Sequence, residues 1–205
     1  MKLESWSLQL FSDWTSNFAT ELKVGRKEVA TGQDSLKGTD FAEMQIRTAT
    51  GGTVYIGPDE FRHANKLTND LDQAKLKGTY FLGDHTISAG IEFESLDIFN
   101  IFLARSQGQY VFNSIADFQA RSAASLRYNN ARSNNPADGG ATFGYDVLGF
   151  FLQDQWRVTP DLEIQYGLRY ETFSSSDRPV FNQNFVDRHG FSNQETLDGR
   201  DLLMP

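Results

Sequence analysis

Hydrophobic residues return at every second position in six stretches of the chain. In 162–171, LEIQYGLRYE, one side carries Leu162, Ile164, Tyr166, Leu168 and Tyr170. The other carries Glu163, Gln165, Gly167, Arg169 and Glu171. That period of two predicts a β-strand with one apolar and one polar face. Residues 86–94 repeat it, with Ile87, Ala89, Ile91 and Phe93 against Thr86, Ser88, Gly90, Glu92 and Glu94. So do residues 4–14, 18–24 and 74–82. Residues 147–158 are less regular: Leu148, Phe150, Leu152 and Trp156 share a face, Asp154 interrupts it, and Phe151 lies opposite.

The connections alternate as well. Thr15–Asn17, Gly83–His85 and Thr159–Asp161 read as tight turns of about three residues, each closing a hairpin. The other connections, roughly 27–65, 99–144 and 172–205, are long and polar. NNARSNNPADGG (129–140) has no periodicity and reads as an exposed loop. In Ser114–Arg121, Ser114 is a helix N-cap candidate with Asp117 three residues on, so a turn or two of helix is expected. Residues 41–57 read as a short hairpin across Gly51-Gly52.

A soluble antiparallel sandwich and a membrane barrel both alternate apolar and polar residues. Three features favour the barrel. The strands are about nine to eleven residues long, the length of a tilted membrane strand rather than the ~5–6 typical of soluble sheets. Short turns alternate with long loops, as periplasmic turns and extracellular loops do in outer-membrane barrels. Large aromatics stand at strand ends, and Trp6, Trp14, Phe18, Phe81, Trp156 and Tyr170 are the expected membrane-interface residues. The fold class expected is therefore all-β: antiparallel up-and-down strands forming part of a transmembrane outer-membrane barrel with long extracellular loops. Its location would be the outer membrane of a Gram-negative bacterium, with lipid against the apolar faces. Glu92, Glu94, Glu163, Gln165, Arg169 and Glu171 would then line the lumen. Six long strands, or eight with the 41–57 hairpin, fall short of or only reach the ~8 of the smallest such barrels. Leu202–Pro205 stands where a further strand would begin. The whole of 1–205 is thus expected to be one barrel segment, a piece of a larger barrel.

Composition narrows the chemistry. The 205 residues contain no cysteine, which removes disulfides, thiol catalysis and Cys–zinc sites. A net charge of −8 argues against nucleic acid as a partner. No run approaches the ~18 apolar residues of a spanning helix. The start, MKLESWSLQLFSDW, has neither an apolar signal core nor a small-residue cleavage site.

No catalytic motif is present, so no enzyme and no cofactor are expected. His63 has Asp59, Glu60 and Arg62 close in sequence, a minor candidate for metal or acid–base work. His85 reads as an ordinary turn residue beside Asp84, and His189 follows Asp187-Arg188. Asp177, Asn182, Asn184 and Asp187 offer oxygen ligands, but with no calcium-loop spacing. The candidate ligand-contacting loop aromatics are Tyr110, Phe112, Phe118 and Tyr128, with Phe181, Phe185 and Phe191 in the last loop; packing of the loops on themselves explains the same residues.

Residues 148–171, LGFFLQDQWRVTPDLEIQYGLRYE, carry a QD-x-W-R element, a TP-x-L turn and a strand ending G-L-R-Y-E. This resembles a hairpin of TonB-dependent outer-membrane receptors. GPDEFRHANKL (57–67), GDHTISAGIEFE (83–94), IFNIFLARSQGQYVFNSIADF (98–118) and TLDGRDLLMP (196–205) are similar to the Oar-like branch of that family. The resemblance implies a large barrel of ~22 strands with an N-terminal plug in its lumen. Such barrels import a scarce ligand with energy passed through TonB. It also implies as partners the rest of the barrel, its plug, and TonB through an N-terminal part; TonB box, plug and signal peptide are not recognisable in 1–205. The alternatives are a passive or structural outer-membrane barrel and a soluble β-sandwich binding module.

Overall fold

A computed structural model describes residues 1–175 and 177–194, together with the backbone of 200–204. The remainder of the TLDGRDLLMP segment lies outside the described residues. Each of the six alternating stretches forms a strand. They are β1 (Lys2–Thr15), β2 (Phe18–Thr31), β5 (Ala64–Leu82), β6 (His85–Leu103), β9 (Ala141–Thr159) and β10 (Leu162–Ser174). Between them come β3 (Glu43–Arg47), β4 (Thr53–Ile56), β7 (Gln109–Phe112) and β8 (Ser125–Arg127), and β11 (Arg200–Met204) follows. The short helices α1 (Ile115–Gln119) and α2 (Gln183–His189) interrupt the loops.

The long strands make a seven-stranded sheet in the order β1-β2-β5-β6-β9-β10-β11. Three of its connections are two-residue turns, Ser16-Asn17, Gly83-Asp84 and Pro160-Asp161, tighter than the three residues expected. Gly83 supplies the positive φ (60°) that one of them needs. The strands are 13 to 19 residues long except β11, well beyond the nine to eleven expected. Past the apolar stretch, the apolar parity becomes polar: Arg26 on β2, Asp70 and Asp72 on β5, Asp97 on β6, Asp146 on β9. The ladder runs on through these residues because backbone pairing needs no apolar face. β10 pairs antiparallel with β9 from Leu162↔Thr159 to Ser174↔Asp146, with one irregularity at Leu162/Glu163. It pairs on its other side with β11, which occupies the place of the strand expected near Leu202.

The 41–57 hairpin forms, but it does not add to the long sheet. β3 and β4 join β7 and β8 in a second sheet of order β4-β3-β7-β8. Its central pair, β3 with β7, is parallel, a departure from the purely antiparallel expectation. The hairpin is local, but the pairing of β3 with β7 joins residues as distant as Met44 and Tyr110, so no local pattern announces it.

The chain divides into two compact units. One comprises Met1–Lys2, Val29–Thr68 and Ile98–Thr142; the other comprises Leu3–Glu28, Asn69–Asp97 and Phe143–Pro205. The first, the loop unit, has a core of Ile46, Ile101, Val111 and Phe112, and it also buries Glu43, His63, Ser106 and Gln109. Ser114 caps α1, its Oγ accepting from Asp117 N at 3.0 Å, as the sequence suggests. The second, the wall unit, is a sheet with two faces and no enclosed core among its described residues.

Candidate functional site

The polar face of the wall carries a chain of ion pairs across four strands. Lys75 Nζ on β5 lies 2.9 Å from Glu92 Oε1 on β6. Glu92 Oε2 accepts from Arg169 Nη1 on β10 at 2.6 Å. Arg169 also donates from Nε to Glu171 Oε1 at 2.7 Å. On the same face Gln73 donates to Glu94 at 2.9 Å, and Lys77 pairs with Glu21 of β2 at 2.9 Å.

Two glycines make the room. Glu171 faces Gly149 across the β9–β10 ladder, and a Cβ on Gly149 would stand 3.0 Å from Arg169 Nη2. At Gly90 a Cβ would lie 2.5 Å from the Phe151 ring. Phe151, opposite the apolar stripe of β9, therefore fills the space over a glycine, and Lys75 Nζ sits 5.4 Å from its ring centroid, within cation–π range.

Gln73, Lys75, Glu92, Glu94, Gly149, Arg169 and Glu171 line an open cleft of about 890 Å³, together with Lys23, Phe143, Tyr145, Phe173 and Asp177. Two cations and two carboxylates neutralise one another in the central chain. All four remain partly solvated, so each pair adds little stability by itself. What the arrangement supplies is a wet, polar wall with fixed donors and acceptors.

A family model described as outer membrane beta barrel domain matches residues 8–196. The chain belongs to this family. Its strands are thus part of an outer-membrane β-barrel of a Gram-negative bacterium, with extracellular loops between them. No curated protein and no solved structure matches the chain. Among the described residues no helix is long and apolar enough to cross a membrane, and barrels cross with strands instead.

The structure places the expected lumen residues as follows. Glu92, Glu94, Arg169 and Glu171 come together at the cleft. Glu163 and Gln165 share their face but lie nearer the short turn, opposite Arg157 and Gln155. Lys75, Lys77, Gly90 and Gly149 complete the constellation. Their alternation placed them on the polar face, but their partners depend on register.

Of the aromatics expected at the interfaces, Trp6, Trp14, Phe18, Trp156 and Tyr170 occupy the parity of the apolar positions on their strands. Trp14 Nε1 donates to Thr20 Oγ1 at 2.8 Å. Phe81 is a correction: it alternates with Tyr80 and Leu82 and shares the parity of Lys75 and Lys77, so it lies on the polar face.

The loop aromatics divide. Tyr110 and Tyr128 are exposed, and the Tyr128 hydroxyl bonds Asn134. Phe112 is a second correction, being only 6 % exposed. It packs edge-on against Phe118 of α1 at 5.3 Å, so it supports the loop unit and offers no surface to a ligand. In the last loop Phe185 packs against Phe191 and His189.

The histidines also depart from the sequence reading. His85 is no ordinary turn residue: Nδ1 lies 2.7 Å from Asp154 Oδ2, and the ring stacks on Trp156 at 5.4 Å. His63 is buried and its Nδ1 accepts from Gln107 N at 3.2 Å, while neighbouring Glu60 pairs with Arg105. Asp177 accepts from Gly144 N at 2.7 Å, Asn182 caps α2, and Asp187 accepts from Gln183. Among the described residues no three acidic or histidine side chains converge as a metal site.

Proposed function

We propose that this chain supplies barrel wall and extracellular loops to a TonB-dependent transporter that imports a scarce ligand. The observation that carries the reading is the pair of opposed faces on the wall. One is apolar and suited to lipid. The other is an ion-paired surface around an open cleft, suited to a hydrated lumen and to whatever polypeptide or ligand occupies it. The resemblance of 148–171 to the receptor hairpin supports the finer assignment, and that segment forms the β9–β10 hairpin that brings Arg169 to Glu92. No catalytic step enters the reading. The partners are outer-membrane lipid, the other strands of the barrel, a plug, and TonB through a part of the transporter outside this sequence.

Planar-bilayer recording of the protein purified whole from its native outer membrane tests the assignment. A plugged transporter gives no steady conductance and is captured by formaldehyde crosslinking to TonB in intact cells. Steady open-channel currents without a TonB adduct would replace it with a passive pore.

A further inference from the structure

The polar face of the wall changes character along β9 and β10. Phe143, Tyr145 and Val147 have the parity of Gly149 on β9, and Phe173 has that of Arg169 and Glu171 on β10. Val147 and Phe173 face each other across the ladder. Rings on this side have no lipid to meet, yet Phe143 is 43 % exposed and Tyr145 37 %. Exposed apolar surface on a water-facing wall points to something that covers it. These rings line the cleft beside the ion-pair chain, and every residue that lines it belongs to the wall unit. The cleft thus has an aromatic side and a charged side, and its 890 Å³ suits a small ligand. On the charged side, hydrogen-bonding capacity is left over. Glu171 binds Arg169 through Oε1 and Glu94 binds Gln73 through Oε2, so each keeps a second oxygen. Lys23 Nζ and the Tyr145 hydroxyl have no partner among the described residues. Four carboxylates (Glu92, Glu94, Glu171 and Asp177) stand against three cations (Lys23, Lys75 and Arg169). An anion would meet the surplus carboxylate, and a cation would meet ammonium and guanidinium groups close by.

We propose that this cleft binds a neutral oligosaccharide. The C–H face of a pyranose ring is apolar and lies well on an aromatic ring, while its rim of hydroxyls is polar. A hydroxyl both donates and accepts. One can give its proton to the spare oxygen of Glu171 or Glu94, and another can accept from Lys23. A ligand with donors alone would leave Lys23 unused, and one with acceptors alone would leave the carboxylates unused. Phe143 and Tyr145 supply the stacking surface. Arg169 is a positioning residue that fixes Glu171, and the chain Lys75–Glu92–Arg169 holds the charged side in place before the ligand arrives, so little order is lost on binding. The inference rests on the transporter reading and names the class of ligand that such a wall would pass inward.

The test uses the whole protein purified from its native outer membrane in a detergent without a sugar headgroup. It is titrated calorimetrically with neutral tetrasaccharides of glucose, galactose, mannose and N-acetylglucosamine. At least one is expected to bind. Tyr145→Ala should weaken it about tenfold, and Tyr145→Phe, which keeps the ring, only about threefold. Lys23→Met should weaken it about tenfold, the loss of one charge-assisted hydrogen bond. Tyr55→Ala, which removes an exposed ring of the loop unit, should leave binding unchanged. Resistance to SDS at room temperature shows that each variant is folded. Binding of none of the four tetrasaccharides overturns the proposal, as does undiminished binding in both Tyr145→Ala and Lys23→Met. Equal displacement by tetra-alanine makes the cleft a peptide site and overturns the saccharide. The transporter reading fails separately. Steady channel currents without a TonB adduct, in protein that binds the saccharide, remove that reading and leave the site in a pore. A TonB adduct in protein that binds no saccharide removes the site alone.

Discussion

The wall unit and the loop unit solve the problem of burying apolar surface in opposite ways. The loop unit is built like a small soluble domain. Ile46, Val111 and Phe112 are enclosed, and Gln109 is fully buried beside them. The wall unit leaves Leu8, Leu152 and Leu168 more than half exposed, with Leu168 at 60 %. A face of that kind would aggregate in water. In lipid it needs no partner, since hydrocarbon takes the place of a core. Ion pairs follow the same division. Arg26, Lys75, Lys77 and Arg169 of the wall are all paired, whereas Arg105 is the one paired arginine of the loop unit among its described residues. Which of the two environments a residue belongs to can thus be read from what its removal should cost.

The largest effect is expected where a true core exists. Phe112→Ala removes a buried ring and its edge contact with Phe118, at about 3–5 kcal/mol. Protease added to intact cells should then cut within the loop unit, while the wall keeps its resistance to SDS at room temperature. Loss of that resistance would mean the two units do not stabilise themselves separately. Next comes a charge on the apolar face. Leu168→Arg should cost about 2–4 kcal/mol if the position is deep in hydrocarbon, whereas Gln165→Arg on the other face should be nearly neutral. Urea unfolding in vesicles measures both. Equal costs would abolish the distinction between faces.

The sequence carries the wall well because a period of two is local. Tyr166, Leu168 and Tyr170 announce a face without any knowledge of their neighbours. It carries the strand ends poorly. ANKLTNDLDQ (64–73) has no alternation, yet it forms the first half of β5, since a ladder extends wherever a partner strand does. Beyond the 41–57 hairpin the loop sheet is illegible for the related reason that Met44↔Tyr110 and Ile46↔Phe112 join distant segments. The network is legible in part. Glu92, Arg169 and Glu171 lie on polar faces by parity alone, but only register brings residues 77 apart within 2.6 Å. The clearest missed signal is Asp154. A carboxylate that breaks an apolar stripe implies a partner, and His85 and Tyr166 are that partner.

A smaller effect probes the polar face. A Cβ at Gly90 would also stand 2.6 Å from Leu76 O, so Gly90→Val should cost about 1–3 kcal/mol by overpacking. Phe151→Ala in the same chain should recover part of that loss, because it removes the ring while leaving the carbonyl clash. Additive costs in the double variant would show that Phe151 does not occupy the space over Gly90.

The smallest effect returns to the loop unit. Ser114→Ala deletes the cap on α1 and should cost about 1 kcal/mol. α1 has only five residues and could not persist alone, so its ordering depends on that cap and on Phe118 packing against Phe112. Amide exchange should therefore quicken at Asp117 and Phe118 and remain unchanged along β9 and β10. Faster exchange spreading into β10 would mean that the loop core and the wall ladder open as one cooperative unit, and the contrast between a self-contained core and a lipid-supported sheet would no longer describe two independent sources of stability.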